Sequence, residues 1–172
     1  MTNQQGVEGG QVGLIADQGY QAAVLRLIEG SRERCLCSLF IVDIAGAADR
    51  TLVVDRVLLR LQAAVWRGVD VRLLIGGSRD NFEIARAVLT AKFRLDRLGV
   101  PSRLMAQRAV RGTHVKLVVA DERMLVGSHN WSQGAFTNQT QDSVLVESSA
   151  LAARLSAFFE EQWTRAVDAE RV

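Results

Sequence analysis

The stretch from His114 to Asn130 (HVKLVVADERMLVGSHN) concentrates the side chains able to do chemistry. His114 and Lys116 stand two apart, four residues separate Lys116 from Asp121, and Gly127-Ser128-His129-Asn130 follows. Residues 114–120 alternate and are rich in Val and Leu, which predicts a strand. Its period of two puts His114, Lys116 and Val118 on one face and Val115, Leu117 and Val119 on the other. Asp121-Glu122-Arg123 reads as a tight turn and Met124 to Gly127 as the return strand of a hairpin, bringing Ser128 and Asn130 back beside His114. A titratable nitrogen, a fixed cation, a hydroxyl and an amide then share one small pocket. That set suits a phosphate and has too few carboxylates for a divalent metal. Neither a metal nor another cofactor is expected.

These residues resemble the HxKxxxxD…GSxN signature of the phospholipase D superfamily. The match takes in His114, Lys116, Asp121, Gly127, Ser128 and Asn130, and Trp131 and Ser132 continue it as in the nuclease-like members. Five residues, 122–126, separate Asp121 from Gly127, where the family usually has six. Asp142 stands before the next strand, where the family usually has Glu. The resemblance implies catalytic roles for His114, Lys116 and Asn130, with Asp142 orienting an imidazole and with Asp121 and Ser128 in support. It also implies a mechanism that needs two motifs in one pocket. One histidine attacks phosphorus and becomes a phosphohistidine, while the other protonates the leaving oxygen and then activates water. The lysines and asparagines stabilise the equatorial oxygens. This chain carries one motif, so a homodimer sharing the active site is implied, as in the small single-motif bacterial endonucleases of the superfamily. DNA or RNA is the substrate expected. A phospholipid of the cardiolipin type and a non-catalytic nucleic-acid-binding role are the alternatives; no apolar membrane-docking surface is apparent.

Other residues are weighed against plainer roles. His129 fills the variable position of GSxN, and alternation points it away from Ser128 and Asn130, so a structural role and a mild effect of His129→Ala are expected. Asp121 is expected to hold its own hairpin turn through backbone N–H groups. Gly76-Gly77-Ser78 lacks the rest of any phosphate-loop pattern and reads as a turn near the site. Arg108 and Arg111 flank the motif on its entry loop and are candidate contacts for a polyanion. Trp131 reads as packing under its loop, with contact to substrate by stacking on a base as the alternative.

The elements that position these residues alternate. An edge strand is expected at Val12–Ile15, a helix at Asp17–Arg34, a strand at Cys35–Ile44, a helix over 51–67 capped by Asp49 or Thr51, and a strand at Val69–Ile75. A helix from Asn81 to Leu98 capped by Asp80, a strand at Ser102–Ala106, the motif hairpin, a loop from Trp131 to Gln141, a strand at Asp142–Val146 and a helix at Ser149–Asp168 complete the order. This predicts an α/β domain with a mixed central sheet flanked by helices, resembling one half of a phospholipase D, over residues 14–172, after a flexible tail at 1–13. With a net charge of +2 there is no overall basic field, so any contact with nucleic acid must be local. Cys35 and Cys37 sit two apart in an apolar run and read as buried free thiols of a reducing compartment. No signal peptide or membrane-length apolar run is visible, so a cytoplasmic protein with no stable membrane insertion is expected.

Overall fold

The structure is a computed structural model that describes residues 11–44, 52–78, 80–105 and 113–166. Its centre is a seven-stranded mixed sheet in the order β1-β7-β6-β5-β2-β3-β4. Strands β2 (Arg34–Leu39), β3 (Asp70–Ile75) and β4 (Ser102–Leu104) run parallel, joined by helices α2 (Leu52–Trp66) and α3 (Phe82–Arg97). Strands β5 (Lys116–Ala120), β6 (Arg123–Gly127), β7 (Asp142–Glu147) and β1 (Gln11–Ala16) pair antiparallel, and β5 also pairs antiparallel with β2. The expected α/β class and flanked mixed sheet are therefore present.

Alternation along the strands sends side chains into two cores. Cys37, Leu39, Leu73, Val118 and Leu125 meet the stripes of α1 (Gly19–Gly30), α2 and α3, with Phe136 of the short α4 (Gln133–Thr137). On the other face Leu36, Leu74, Leu117, Val119 and Met124 meet Phe159 and Ala152 of α5 (Ser149–Arg165). Both cysteines are free and fully buried, with sulfurs 3.9 Å apart.

Several boundaries differ from the sequence expectation. Strand β1 begins at Gln11, so residues 11–13 belong to the sheet rather than to a tail; residues 1–10 lie outside the described residues, as do Asp49, Thr51, Arg108 and Arg111. The cap of α3 is Asn81, not Asp80: the Asn81 side chain accepts from the Ile84 N–H at 3.1 Å. Helix α4 interrupts the expected loop because Ser132 caps the Ala135 N–H at 3.3 Å, and five residues are too few to show a helical period. Strand β5 starts at Lys116, so His114 and Val115 precede it.

Candidate active site

The parallel strands β2 and β3 end, and the antiparallel β5 begins, at the same edge of the sheet. Four chain segments meet there. The Gly76 and Gly77 N–H groups donate to the carbonyls of Leu39 and Phe40 at 2.8 and 2.7 Å, extending the β2–β3 ladder. Those amides are therefore engaged with the backbone, which fits the reading of Gly76-Gly77-Ser78 as a turn. Gly76 is required for a steric reason: a Cβ there would stand 2.5 Å from the carbonyl oxygen of Thr113, the residue before His114. The segment entering the motif thus packs directly on the loop after β3.

His114 is exposed, and its ring lies 4.5 Å from the Phe40 ring between centroids. Lys116 is 9% exposed and sends its Nζ to 2.9 Å from His114 Nδ1 and 3.1 Å from Nε2; it also donates to the His114 carbonyl at 2.9 Å. In a neutral imidazole one ring nitrogen carries the proton and the other accepts, so the ammonium donates to only one of them. The same Nζ lies 5.2 Å from the Phe40 ring centroid. Among the described residues no carboxylate pairs with Lys116. Burial pushes its pKa below the ordinary lysine value. An ammonium this buried without a counter-charge is costly for a fold and ready for an anion.

Asn130 comes back to the same place. Its Oδ1 accepts from the Ile41 N–H at 3.2 Å, next in chain to the Phe40 that touches His114. That leaves the side-chain N–H₂ to donate elsewhere. The position is fixed by Trp131, whose N–H donates to the Ile41 carbonyl at 3.1 Å while its carbonyl accepts from Asp43 at 2.8 Å. Asn130 lines a cleft of about 280 Å³ with Ile41, Arg86, Ala87 and Ser132.

The remaining motif residues are structural in their contacts. Gly127 leaves no room for a side chain: a Cβ would stand 2.2 Å from Ser143 Oγ and 2.3 Å from the Asp142 carbonyl. Ser128 is exposed and ties β6 to β7 through Asp142: its Oγ accepts from the Asp142 N–H at 3.1 Å, and its N–H donates to the Asp142 carbonyl at 2.9 Å. Between β5 and β6 the chain makes a tight turn in which Ala120 pairs with Arg123 and Asp121 takes φ 53°.

Three sequence readings need correction. Asp121 does not hold its own turn. Its carboxylate accepts from the N–H groups of Arg32, Glu33 and Arg34 at 2.9, 3.0 and 3.0 Å, clamping the α1–β2 connection at the far end of β5. Burial alone would raise its pKa, but those three N–H groups and the Arg123 guanidinium hold it below the usual carboxylate range. Trp131 cannot stack on a base: it is fully buried, with Nε1 donating to the Tyr20 hydroxyl at 3.3 Å. His129 is structural, as expected, but its removal will not be mild. It is fully buried, stacks on Tyr20 at 4.2 Å, faces the Ser143 hydroxyl at 2.9 Å from Nδ1, and reaches the Asp17 carbonyl at 3.2 Å from Nε2. Burial lowers its pKa despite opposition from Asp17 and Asp142.

Asp142 opens β7 with an exposed side chain at the site end of the sheet. Its backbone engages Ser128, and no hydrogen bond among the described residues joins it to His114. Sequence reasoning missed Phe40 and Ile41, which brace the motif from outside it. No local pattern flags them, because each acts through a backbone group or a contact set by the pairing of β2 with β5.

An exposed imidazole backed by a buried ammonium, with an asparagine side chain close by, thus stands at one end of this mixed sheet. The family model described as "Cardiolipin synthase, PLD-like domain" matches residues 24–163, and the chain belongs to that family. Among solved structures it is similar to the phospholipase D family member Nuc from Salmonella typhimurium, at TM-score 0.76 and 21% identity, covering 93% of this chain and 98% of that one. It is also similar to NucT from Helicobacter pylori, at TM-score 0.68 and 14% identity, covering 93% and 99%. The phosphatidylserine synthase of Haemophilus influenzae Rd KW20 shares the fold at TM-score 0.67 and 14% identity, over 87% of this chain and 36% of that one. No curated protein matches significantly.

Proposed function

We propose that this chain is a metal-independent phosphodiesterase, a nuclease cleaving DNA or RNA, working as a homodimer that shares one active site. The observation that carries the reading is Lys116: a buried ammonium 2.9 Å from the His114 ring with no carboxylate partner among the described residues. A phosphate placed over His114 would supply the missing charge. A ring nitrogen of His114 then attacks phosphorus, and the bond to the leaving oxygen breaks. The partner's His114 gives that oxygen its proton, takes a proton from water, and the hydroxide releases the phosphohistidine. Lys116 and the Asn130 amide stabilise the charge on the equatorial oxygens. Asp142, exposed at the same end of the sheet, is assigned to orienting the partner's imidazole, since it makes no bond to His114 in its own chain.

The single motif supports the shared site. One motif supplies one imidazole, and the chain spans nearly the full length of Nuc and NucT. The β5 entry and the loop from Ser128 to Asn138 are assigned to the two-fold interface. Arg108 and Arg111 are assigned to backbone phosphates. No grouping of three or more His, Cys, Asp or Glu among the described residues could hold a metal ion, and independence of metals is part of the proposal. The buried free thiols fit a reducing compartment, which favours the cytoplasm. Among the described residues no helix is long and apolar enough to cross a membrane.

A second reading, a phospholipid hydrolase of the cardiolipin type, is favoured by the matched family's description and by the fold shared with phosphatidylserine synthase. A third is a nucleic-acid-binding module without turnover. One experiment separates them: incubate the pure protein in EDTA with single- and double-stranded DNA, RNA and cardiolipin vesicles. Cleavage of nucleic acid is expected. Turnover of cardiolipin alone selects the second reading, and binding without cleavage the third. Activity that disappears in chelator and returns with a divalent ion contradicts the mechanism.

A further inference from the structure

Helix α3 carries a stripe that the fold leaves uncovered. Phe82 is 75% exposed, Leu89 52% and Phe93 64%. Helical spacing puts positions 82, 86, 89, 93 and 97 on one face, so the stripe reads Phe-Arg-Leu-Phe-Arg. The opposite face, with Ala87, Val88, Ala91 and Leu95, is the one buried against the sheet. Large apolar side chains this exposed mark a binding surface rather than a spare core face.

The charges on the helix select the partner. Arg94 is committed to Asp55, and Lys92 to Asp96. Among the described residues Arg86 pairs only with Glu83, where both side chains are more than half exposed, at 57% and 71%. Such a pair contributes little, so a phosphate can take Arg86 from Glu83 at small cost. The Arg97 guanidinium lies 5.9 Å from the Phe93 ring centroid and has no carboxylate partner among the described residues. Aromatic faces for bases, alternating with cations for phosphates, are the pattern by which single strands are held. A duplex keeps its bases stacked inside and offers the phenyl rings nothing. A helical rise of about 1.5 Å per residue puts Phe82 and Phe93 about 16 Å apart, room for several bases at a stacking distance of roughly 3.4 Å. The Phe82 end of the stripe adjoins the cleft that Asn130 lines, because Glu83, Ile84 and Arg86, next along α3, form part of its wall.

We propose that the exposed face of α3 is a track for single-stranded nucleic acid, leading a strand into the Asn130 cleft. The proposal rests on the nuclease reading and narrows it to single-stranded substrate. Its test is binding by fluorescence anisotropy in a His114→Ala background, where no cleavage intervenes, with and without the double change Phe82→Ala and Phe93→Ala. Both side chains are mostly exposed, so the fold has little packing to lose. Affinity for a labelled single strand should fall about tenfold or more, and affinity for the matching duplex should change little. Arg86→Gln with Arg97→Gln should reduce the salt slope of single-strand binding by about 0.7 for each phosphate no longer neutralised. Unchanged single-strand affinity, or an equal loss on duplex, overturns the proposal. Binding to anionic lipid vesicles that disappears in the phenylalanine variant while oligonucleotide affinity holds gives the stripe to a membrane and also overturns it. Cleavage of single strands by the wild type without this loss of affinity rejects the track alone. Track-dependent binding by a chain that cleaves nothing keeps the track and rejects the enzyme.

Discussion

Lys116 and His129 sit on the same hairpin and have opposite consequences for the fold. Lys116 is charged where burial disfavours charge, so its folded pKa lies below the unfolded value near 10.4. Between those two values the unfolded chain binds more protons, stability rises with pH, and at neutral pH the buried ammonium is a cost. Lys116→Met should therefore leave the melting temperature unchanged or raised, while turnover falls by about 10²–10³-fold. Loss of the proton from Lys116 should also end activity in alkali before an ordinary lysine would titrate. A melting scan and a pH–rate profile check both. His129 is held neutral by burial, with a folded pKa below the unfolded value of about 6.5. Its stabilising contribution is present above about pH 6.5 and is lost as pH falls through that window, because only the unfolded chain takes up the proton. His129→Ala removes a stacked, fully buried ring and leaves the Ser143 hydroxyl and Asp17 carbonyl without their partner. Denaturant unfolding at pH 7.5 should show a loss of about 2–4 kcal/mol, with a smaller further loss at pH 5.5 than in the wild type.

At the scale of elements, the motif hairpin is anchored at both ends. At the far end Asp121 gathers the N–H groups of Arg32, Glu33 and Arg34, so β5 is tied to the start of β2. Its lowered pKa means that this stabilisation is present above the unfolded value near 3.9 and is lost as pH falls through the folded value. Asp121→Asn should cost about 1–2 kcal/mol at pH 7, measured by denaturant unfolding, and should flatten the loss of stability below pH 4. Much of this architecture was legible in the sequence. The alternation of Lys116 to Ala120, the apolar periods of α1, α2 and α3, and Gly68 and Gly99 past their helices mark the elements. What was not legible depends on contacts between segments distant in sequence. The carboxylate of Asp121 could have served its own turn or a neighbouring loop, and only the pairing of β5 with β2 decides. Trp131 reads from the sequence as packing under its loop, and the bond to Tyr20 places it there, which the sequence alone could not decide against stacking on a base. The exposed α3 stripe left a trace: Phe82, Leu89 and Phe93 are out of phase with Ala87, Val88, Ala91 and Leu95, giving more apolar positions than one buried face can use.

For the whole molecule, the proposed chemistry requires two chains. One motif gives one nucleophile and no second imidazole to protonate the leaving group, because His129, the other histidine, is locked in the core. Light scattering should show a dimer at assay concentrations. Adding excess His114→Ala chains to wild type, once subunit exchange is verified, should lower activity by more than dilution, since mixed dimers carry one catalytic histidine. A monomer that turns over would rule the shared site out. Everything proposed here turns on His114 as the group that takes the phosphoryl from the substrate. Mass spectrometry of peptides from a reaction quenched in alkali, where a phosphohistidine survives, reads that step itself. An acid-labile phosphoryl adduct is expected on the His114 peptide, formed in EDTA and absent from His114→Ala. Product that accumulates with no adduct, or an adduct on Ser128 or another residue, would contradict the role given to His114.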